Sequence, residues 1–499
     1  MFQRLIIRAK EILSKMFTIS DVKRATNLDV VLSPLMTEAL QKWVLMYANQ
    51  SPWLSEDIRS LNLAAAVAAE LSRAVTIEMV MDVTGSPRAD FLKAQMRVVL
   101  DSIRTNTEFA AAKGGMVFKP YIKGNALYVD FVQADQFFPV FFDSNGCMTA
   151  CVFVDQKVNG KNFYTRLESH MMTNTGYVIR NSAYKSSTRN SLGNVVPLGE
   201  VAEWEDLQPE ATITGVKKPL FAYFKMPFAN NIDTTSPLGV AVYSRAVDLM
   251  EQADKQWSNL LWEMESGQRA LYVDASAFQR DPKIKDGKPQ LPTLMKRLYR
   301  TLQQVNSPSV NEPGFYKEWS PDIRDVSLLN GLDAILRRIE FNCGMSYGVL
   351  SNPEAVALTA TEVNNSKQRY YVTVTATQKA LQIALDDLLY TMDVWTTLGN
   401  LAPIGTYTAT YSFDDSIVAD HDTQFTQDKE VVGLGFMSGV EFRMRNYNES
   451  EEMARKKLVM VQEERAANQS EENNISTEMQ RIELDRMRVA AQNQEGGAA

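Results

Sequence analysis

Two apolar stripes at helical spacing dominate the middle of the chain. Leu238, Val242, Ala246, Leu249, Ala253, Trp257, Leu260 and Met264 recur at intervals of four and three. That period predicts a helix of about thirty residues, roughly 45 Å long. Ser236 before Pro237 offers an N-cap followed by a proline whose missing N–H costs nothing, and Gly267 ends the run. Leu328, Leu332, Ile335 and Ile339 mark a second helix from Asp325 to Cys343, closed by Gly344 and Gly348. Ser351-Asn352-Pro353 is a turn signal, and Thr359 with Glu362 forms a capping box for a third helix reaching Gly399. The first two stripes are expected to lack an intramolecular partner of matching length, so neighbouring copies would have to cover them.

The N-terminal pattern is also helical. Trp43 and Tyr47 share one face of Leu40–Ala48, an alanine-rich helix is predicted from Asp57 to Val75, and another from Pro87 to Ile103. After Gly114-Gly115 the period becomes two. Leu127, Val129 and Phe131 alternate with Tyr128, Asp130 and Val132 behind a Lys123-Gly124-Asn125 turn. Further strands are predicted at 137–142, 148–155, 163–168 and 177–184, with turns at Asp143–Gly146, Val158–Gly160 and Asn174–Gly176. A strand-like run from Tyr407 to Phe413 follows the third long helix, and polar helices fill 418–499, the last opened by Thr477 and Gln480. The fold class is therefore α+β, with an antiparallel meander. No internal repeat is present.

Composition sharpens this picture in one place. The chain is acidic overall, with a formal net charge of −8, yet residues 268–324 carry Arg269, Arg280, Lys283, Lys285, Lys288, Lys296, Arg297, Arg300, Lys317 and Arg324. Six prolines break that stretch, as expected of an exposed interaction surface. Net acidity argues against tight wrapping of nucleic acid, which requires many cations on phosphates. No run is long and apolar enough to span a bilayer, the best candidate, Leu61–Val75, being broken by Glu70 and Arg73. Met1–Phe17 lacks the apolar core of a secretory signal and is expected to be a terminal helix. Three cysteines, Cys147, Cys151 and Cys343, imply a reducing compartment.

Candidate chemistry is sparse. With only His170 and His421, a histidine–cysteine zinc site is close to excluded, and there is neither a nucleophile elbow nor a phosphate loop. Asp414, Asp415, Asp420 and Asp422 are the strongest pointer to an enzyme, since closely spaced aspartates hold Mg²⁺ for phosphoryl chemistry. Their spacing fits no established pattern, and aspartates at a strand end and a helix start serve turns and caps equally well. No catalytic residue, metal or cofactor is expected. Arg337 and Arg338 on the second helix, with Lys367 and Arg369 on the third, either face a polyanion or make salt bridges.

The run Ile339–Tyr370, "IEFNCGMSYGVLSNPEAVALTATEVNNSKQRY", resembles a signature of portal proteins of tailed double-stranded-DNA bacteriophages, of the siphophage type. "SPLGVAVYSRAVDLMEQAD" at 236–254 is similar to the start of that family's stem, and "FDDSIVAD" with "VVGLGFMS" resembles the segment before its C-terminal helices. The resemblance spans most of 40–465. It implies a homo-oligomeric ring of twelve at one capsid vertex of the virion, assembled in the host cytoplasm. Double-stranded DNA would be packaged through the ring by terminase and later ejected. Further implied partners are the major capsid and scaffold proteins and a head–tail connector, with no membrane.

On this reading residues 1–235 are N-terminal helices and wing, 236–266 and 325–347 the stem, and 267–324 the clip. Residues 348–360 are the tunnel loop, 361–418 a long helix and wing strand, and 419–499 the crown. Ser351, Asn352, Glu354, Val356 and Leu358 would meet DNA, Arg337 and Arg338 would belong to the stem channel, and Lys283, Lys285, Lys288, Lys296, Arg297 and Arg300 to the clip surface. Two other readings are carried: a metal-dependent nuclease or phosphatase using Asp414, Asp415 and Asp420, and a non-viral protein-binding scaffold.

Overall fold

The computed structural model describes residues 17–267, 270–274, 299–302, 316–319, 322–352, 360–413, 421–447, 449, 451 and 453–463. The chain divides into two compact units, one ending at Val418 and the other starting at Ala419. Expectations for Met1–Met16, Thr359, Asp414, Asp415, Asp420 and Thr477–Gln480 fall outside the described residues.

The first unit begins with helices α1 (Ile19–Thr26) and α2 (Pro34–Tyr47), each opened by a hydroxyl N-cap, Thr18 and Ser33. Helix α3 (Leu63–Thr76), strand β1 (Met79–Thr84) and helices α4 (Pro87–Asp101) and α5 (Ile103–Lys113) follow. Helix α3 starts later than the expected Asp57, because donors of the preceding residues are taken by a distant helix. The Leu61 N–H donates to Asp254 Oδ1 at 2.7 Å, the Trp53 indole N–H to Asp254 Oδ2 at 2.8 Å, and the Arg59 N–H to Ser258 Oγ at 2.8 Å. Those bonds hold the segment irregular.

The meander is as expected, with longer strands. Strands β2 (Gly115–Lys123) and β3 (Ala126–Gln133) form a hairpin, then come β4 (Phe137–Phe142), β5 (Met148–Asn159), β6 (Asn162–Thr173) and β7 (Gly176–Ser186). Short strands β8 (Asn194–Val196) and β9 (Glu210–Ile213) both pair with β7, and β10 (Ala222–Lys225) pairs with β2. The sheet order is β4-β5-β6-β7-β8, beside a separate β10-β2-β3 sheet.

The stripe beginning at Leu238 does not become helix until Val247. Helix α6 runs Val247–Ser266, and residues 236–246 are irregular and largely buried. The Ser236-Pro237 cap signal is overridden by packing against the end of α5. The Val242 N–H donates to the Ala111 carbonyl at 2.9 Å, and the Tyr243 hydroxyl to that of Ala112 at 2.8 Å. A Cβ on Gly239 would lie 2.0 Å from the Gly114 carbonyl oxygen, so two glycine backbones cross there. A helix through 239 would break this contact.

Within the basic, proline-broken stretch, three short strands are described: β11 (Ala270–Asp274), β12 (Tyr299–Leu302) and β13 (Tyr316–Trp319). Strand β11 lies between the others, parallel to β12 and antiparallel to β13. Helix α7 (Asp325–Cys343) has the expected bounds, and Gly344 closes it in the left-handed region at φ 71°. It runs antiparallel to α6: Arg324 pairs with Glu263 at 2.9 Å, Gln256 donates to the Leu328 carbonyl at 3.2 Å, and Asn342 to that of Arg245 at 3.4 Å. The two stripes therefore partner each other, which corrects the expectation that neither had a partner of matching length. The pair still leaves Trp262 and Val326 each 65% exposed, with Met264 and Leu329 also bare.

Helix α8 (Ala360–Leu398) packs Val374, Leu381, Leu385, Leu388 and Met392 into the main core. Its last turn is clamped by Arg88, fully buried on α4, which donates to the Pro403 carbonyl at 2.8 Å and to Thr397 Oγ1 at 3.2 Å. Strand β14 (Thr408–Phe413) then returns to pair antiparallel with β1. In the second unit, α9 (His421–Gly433) and α10 (Gly439–Tyr447) are described, with more helix over 453–463. A reciprocal cap opens α10: the Ser438 N–H donates to the Glu441 carboxylate and the Glu441 N–H to Ser438 Oγ, both at 3.1 Å.

Candidate functional site: the loop root between two long helices

The chain between α7 and α8 is held from both sides. Gly344 turns it, and a Cβ there would meet Thr373 Oγ1 of α8 at 2.4 Å. The Tyr347 N–H donates to Ser366 Oγ of α8 at 2.6 Å. On α7 the holding group is the fully buried Glu340. Its Oε1 accepts the Leu350 N–H at 2.6 Å and the Ser351 N–H at 2.9 Å, and its Oε2 accepts the Ser351 hydroxyl at 2.8 Å. Two turns back on the same face, Asp333 Oδ1 accepts the Asn352 N–H at 2.7 Å. The other Asp333 oxygen pairs with Arg337 Nε at 2.9 Å, and Arg337 Nη2 donates to the Asn352 carbonyl at 3.4 Å.

Residues predicted for the channel are sorted by this geometry. Ser351 and Asn352 sit at the loop root, bound to α7. Arg337 is turned toward that root and engaged by Asp333, whereas its neighbour Arg338 is exposed. Lys367 is exposed too, while the Arg369 guanidinium lies over the Phe341 ring, 4.4 Å from its centroid, and 5.5 Å from that of Tyr347. Glu354, Val356 and Leu358 lie outside the described residues, as do Lys283, Lys285, Lys288, Lys296 and Arg297. Arg300 lies on strand β12. Sequence reasoning missed Asp333 and Glu340. Their signal was present: two acids seven apart on a helix with an apolar stripe, with Arg337 and Arg338 between them.

A second charged cluster lies on the meander, facing a cleft of about 970 Å³. Glu168 Oε2 is 2.6 Å from Lys119 Nζ and 3.1 Å from Arg166 Nη2, and Oε1 is 2.8 Å from His170 Nε2. His170 Nδ1 lies 2.8 Å from the Tyr177 hydroxyl. Burial alone would raise the Glu168 carboxyl, but Lys119, His170 and Arg166 outweigh it and hold it well below the usual range. Burial depresses His170, against the pull of Glu168. The neutral ring therefore donates from Nε2 to Glu168 and accepts the Tyr177 hydroxyl at Nδ1. Each of these charges is paired within the cluster, Lys119 reaching from β2 to Glu168 on β6 of the other sheet, an arrangement that holds a fold.

Residues 102–473, more than half of the chain, match the family described as phage portal protein, SPP1 Gp6-like. The chain belongs to that family. This phage portal chain is similar to the neck of a native GTA particle computed with C12 symmetry, at 12% identity over 86% of this chain and 99% of that one, with a TM-score of 0.43. It is also similar to the neck of an empty GTA particle computed with C6 symmetry, at 12% identity over 85% of this chain and 97% of that one, with a TM-score of 0.42. No curated protein matches it. Among the described residues of the portal chain, no three potential ligands are grouped to hold a metal ion, and no helix is long and apolar enough to cross a membrane.

Proposed function

We propose that the chain assembles into a closed ring of twelve at a capsid vertex, and that the ring is the conduit for double-stranded DNA during packaging and ejection. The observation that carries this reading beyond family membership is the α6–α7 pair. It is an antiparallel hairpin of long helices that keeps Trp262, Met264, Val326 and Leu329 exposed. Neighbouring copies cover such side chains, and head-to-tail repetition of the contact closes a ring. The parts follow from this: α6 and α7 are the stem, residues 267–324 the clip, residues 348–360 the tunnel loop and residues 419–499 the crown, with the meander in the wing. Ser351 and Asn352 root the tunnel loop, Glu354, Val356 and Leu358 meet DNA, and Arg338 faces the channel.

The basic residues Lys283, Lys285, Lys288, Lys296, Arg297 and Arg300 form the clip surface that docks the terminase large subunit and later the head–tail connector. Scaffold and capsid proteins meet the ring's outer parts. On this reading the chain itself is a structural part. The test is assembly: light scattering and electron microscopy of the purified protein, with and without scaffold protein, against a Trp262→Asp, Val326→Asp variant. Rings for the parent and subunits for the variant are expected. A parent that stays monomeric at micromolar concentration with scaffold present overturns the reading.

A further inference from the structure

We propose that Glu340, assisted by Asp333, is a positioning residue that latches the root of the loop to α7, so that this helix and the loop shift as one body. The inference rests on residues 348–360 being the tunnel loop. Three consecutive loop amides, those of Leu350, Ser351 and Asn352, donate to carboxylates of a single helix face, at 2.6, 2.9 and 2.7 Å. The chain thus reverses at Gly344 and runs back along α7, reaching Glu340 first and Asp333 two turns further down. Arg337 completes the hold by pairing with Asp333 while donating to the Asn352 carbonyl, so both sides of that residue are engaged.

The chemistry of the latch distinguishes it from packing. A fully buried carboxylate is costly unless its oxygens are satisfied. Among the described residues Glu340 has no cation: its partners are two amide N–H groups and one hydroxyl, all from Leu350 and Ser351. An apolar residue at 340 would continue the α7 core face without that cost, and would leave the loop root untied. Neutral donors also exchange for water without stranding a buried opposite charge, so the latch opens and recloses reversibly. Its counterpart on α8, the Ser366 hydroxyl that accepts the Tyr347 N–H at 2.6 Å, fixes the near side of the turn. A rotation or slide of α7 relative to α8 therefore moves residues 350–352 with α7.

The experiment is hydrogen exchange by mass spectrometry on the assembled protein, followed by DNA packaging. Glu340→Ala is expected to raise exchange at Leu350 and Ser351 about tenfold or more, since both amides lose their acceptor. The α8 core amides at Leu385 and Leu388 should keep their protection. Packaging or retention of the genome should fall in parallel, with rings still formed. Should Glu340→Ala fail to fold, Glu340→Gln keeps the shape and weakens the acceptor, and the same two amides should exchange faster by a smaller factor. Asp333→Asn should release Asn352 and leave Leu350 unchanged. Unchanged exchange at 350–351 in a folded variant overturns the latch. Faster exchange with normal packaging overturns its positioning role. Deletion of 353–359 with normal packaging instead overturns the tunnel-loop reading, and the exchange result still decides the latch.

Discussion

Glu168 and Glu340 are both buried acids, and they are satisfied in opposite ways. Glu168 is surrounded by Arg166 and His170 of its own strand and by Lys119 of the other sheet. Glu340 is surrounded by neutral N–H and O–H donors of a turn. A charge-paired acid cannot let go without exposing buried opposite charges, so it locks the element it sits in. An acid held by neutral donors strands no opposite charge when it lets go, provided that water takes the place of the lost donors. The first kind suits an element that keeps its shape and the second one that must follow its neighbour.

The largest expected effect tests the locked side. Glu168→Leu leaves Lys119 and Arg166 buried beside only the more distant Asp130 and Asp155, at 3.6 and 3.7 Å. Removal of one partner from a buried cluster costs about 3–5 kcal/mol, read as a fall in the calorimetric unfolding temperature. Adding Lys119→Met to Glu168→Leu should restore a good part of the loss, because a removed charge no longer needs its partner. No such rescue exists for Glu340, whose partners are mostly backbone. A double variant no better than the single would break the contrast.

Next in size is the pH response of the meander. Burial holds His170 below its ordinary value of 6.5, so the unfolded chain takes up this proton more readily than the folded one. Stability contributed by the neutral ring is complete above about 6.5, declines as the pH falls through that value, and levels off only below the depressed folded value. Glu168, held low, adds its own loss only below its ordinary 4.5. Asp130, raised by burial, acts in the opposite sense at low pH. Chemical denaturation between pH 7.5 and 5.5 should thus show a downward slope that His170→Gln flattens. A slope unchanged by that substitution removes His170 from the account.

What could be read in the sequence follows the range of the interactions. Helix α7, helix α8 and the hairpin turns were legible to within a residue or two, because Gly344, Gly124 and the Asn-Gly signals act within a few positions. The start of α6 was not, because the Gly114–Gly239 crossing and the Ala111–Val242 bond link distant segments. The pairing of β1 with β14 and the hydrogen bonds from residues 350–352 to Glu340 and Asp333 were hidden for the same reason. At the loop root, Ser351 and Asn352 belong to the turn signal read from the sequence, but the acids that hold them lie on the preceding helix, and a turn signal carries no information about its acceptor.

The smallest effect should come from the latch's own hydroxyl, and it separates the two halves of that device. Ser351→Ala keeps the Leu350 and Ser351 amides on Glu340 Oε1 and removes only the bond to Oε2. The same hydroxyl also accepts the Gly348 N–H at 3.2 Å, so that amide loses its acceptor as well. One net hydrogen bond is worth about 1 kcal/mol, which is near fivefold in local opening. Exchange at Gly348 should therefore quicken by about that factor, while Leu350 changes less, and the unfolding temperature should stay near that of the parent. The difference between those amides is the informative quantity: Gly348 depends on the hydroxyl and Leu350 on the carboxylate. If both quicken together, as far as in Glu340→Ala, the turn opens as a single unit and the carboxylate has no separate hold on its far side.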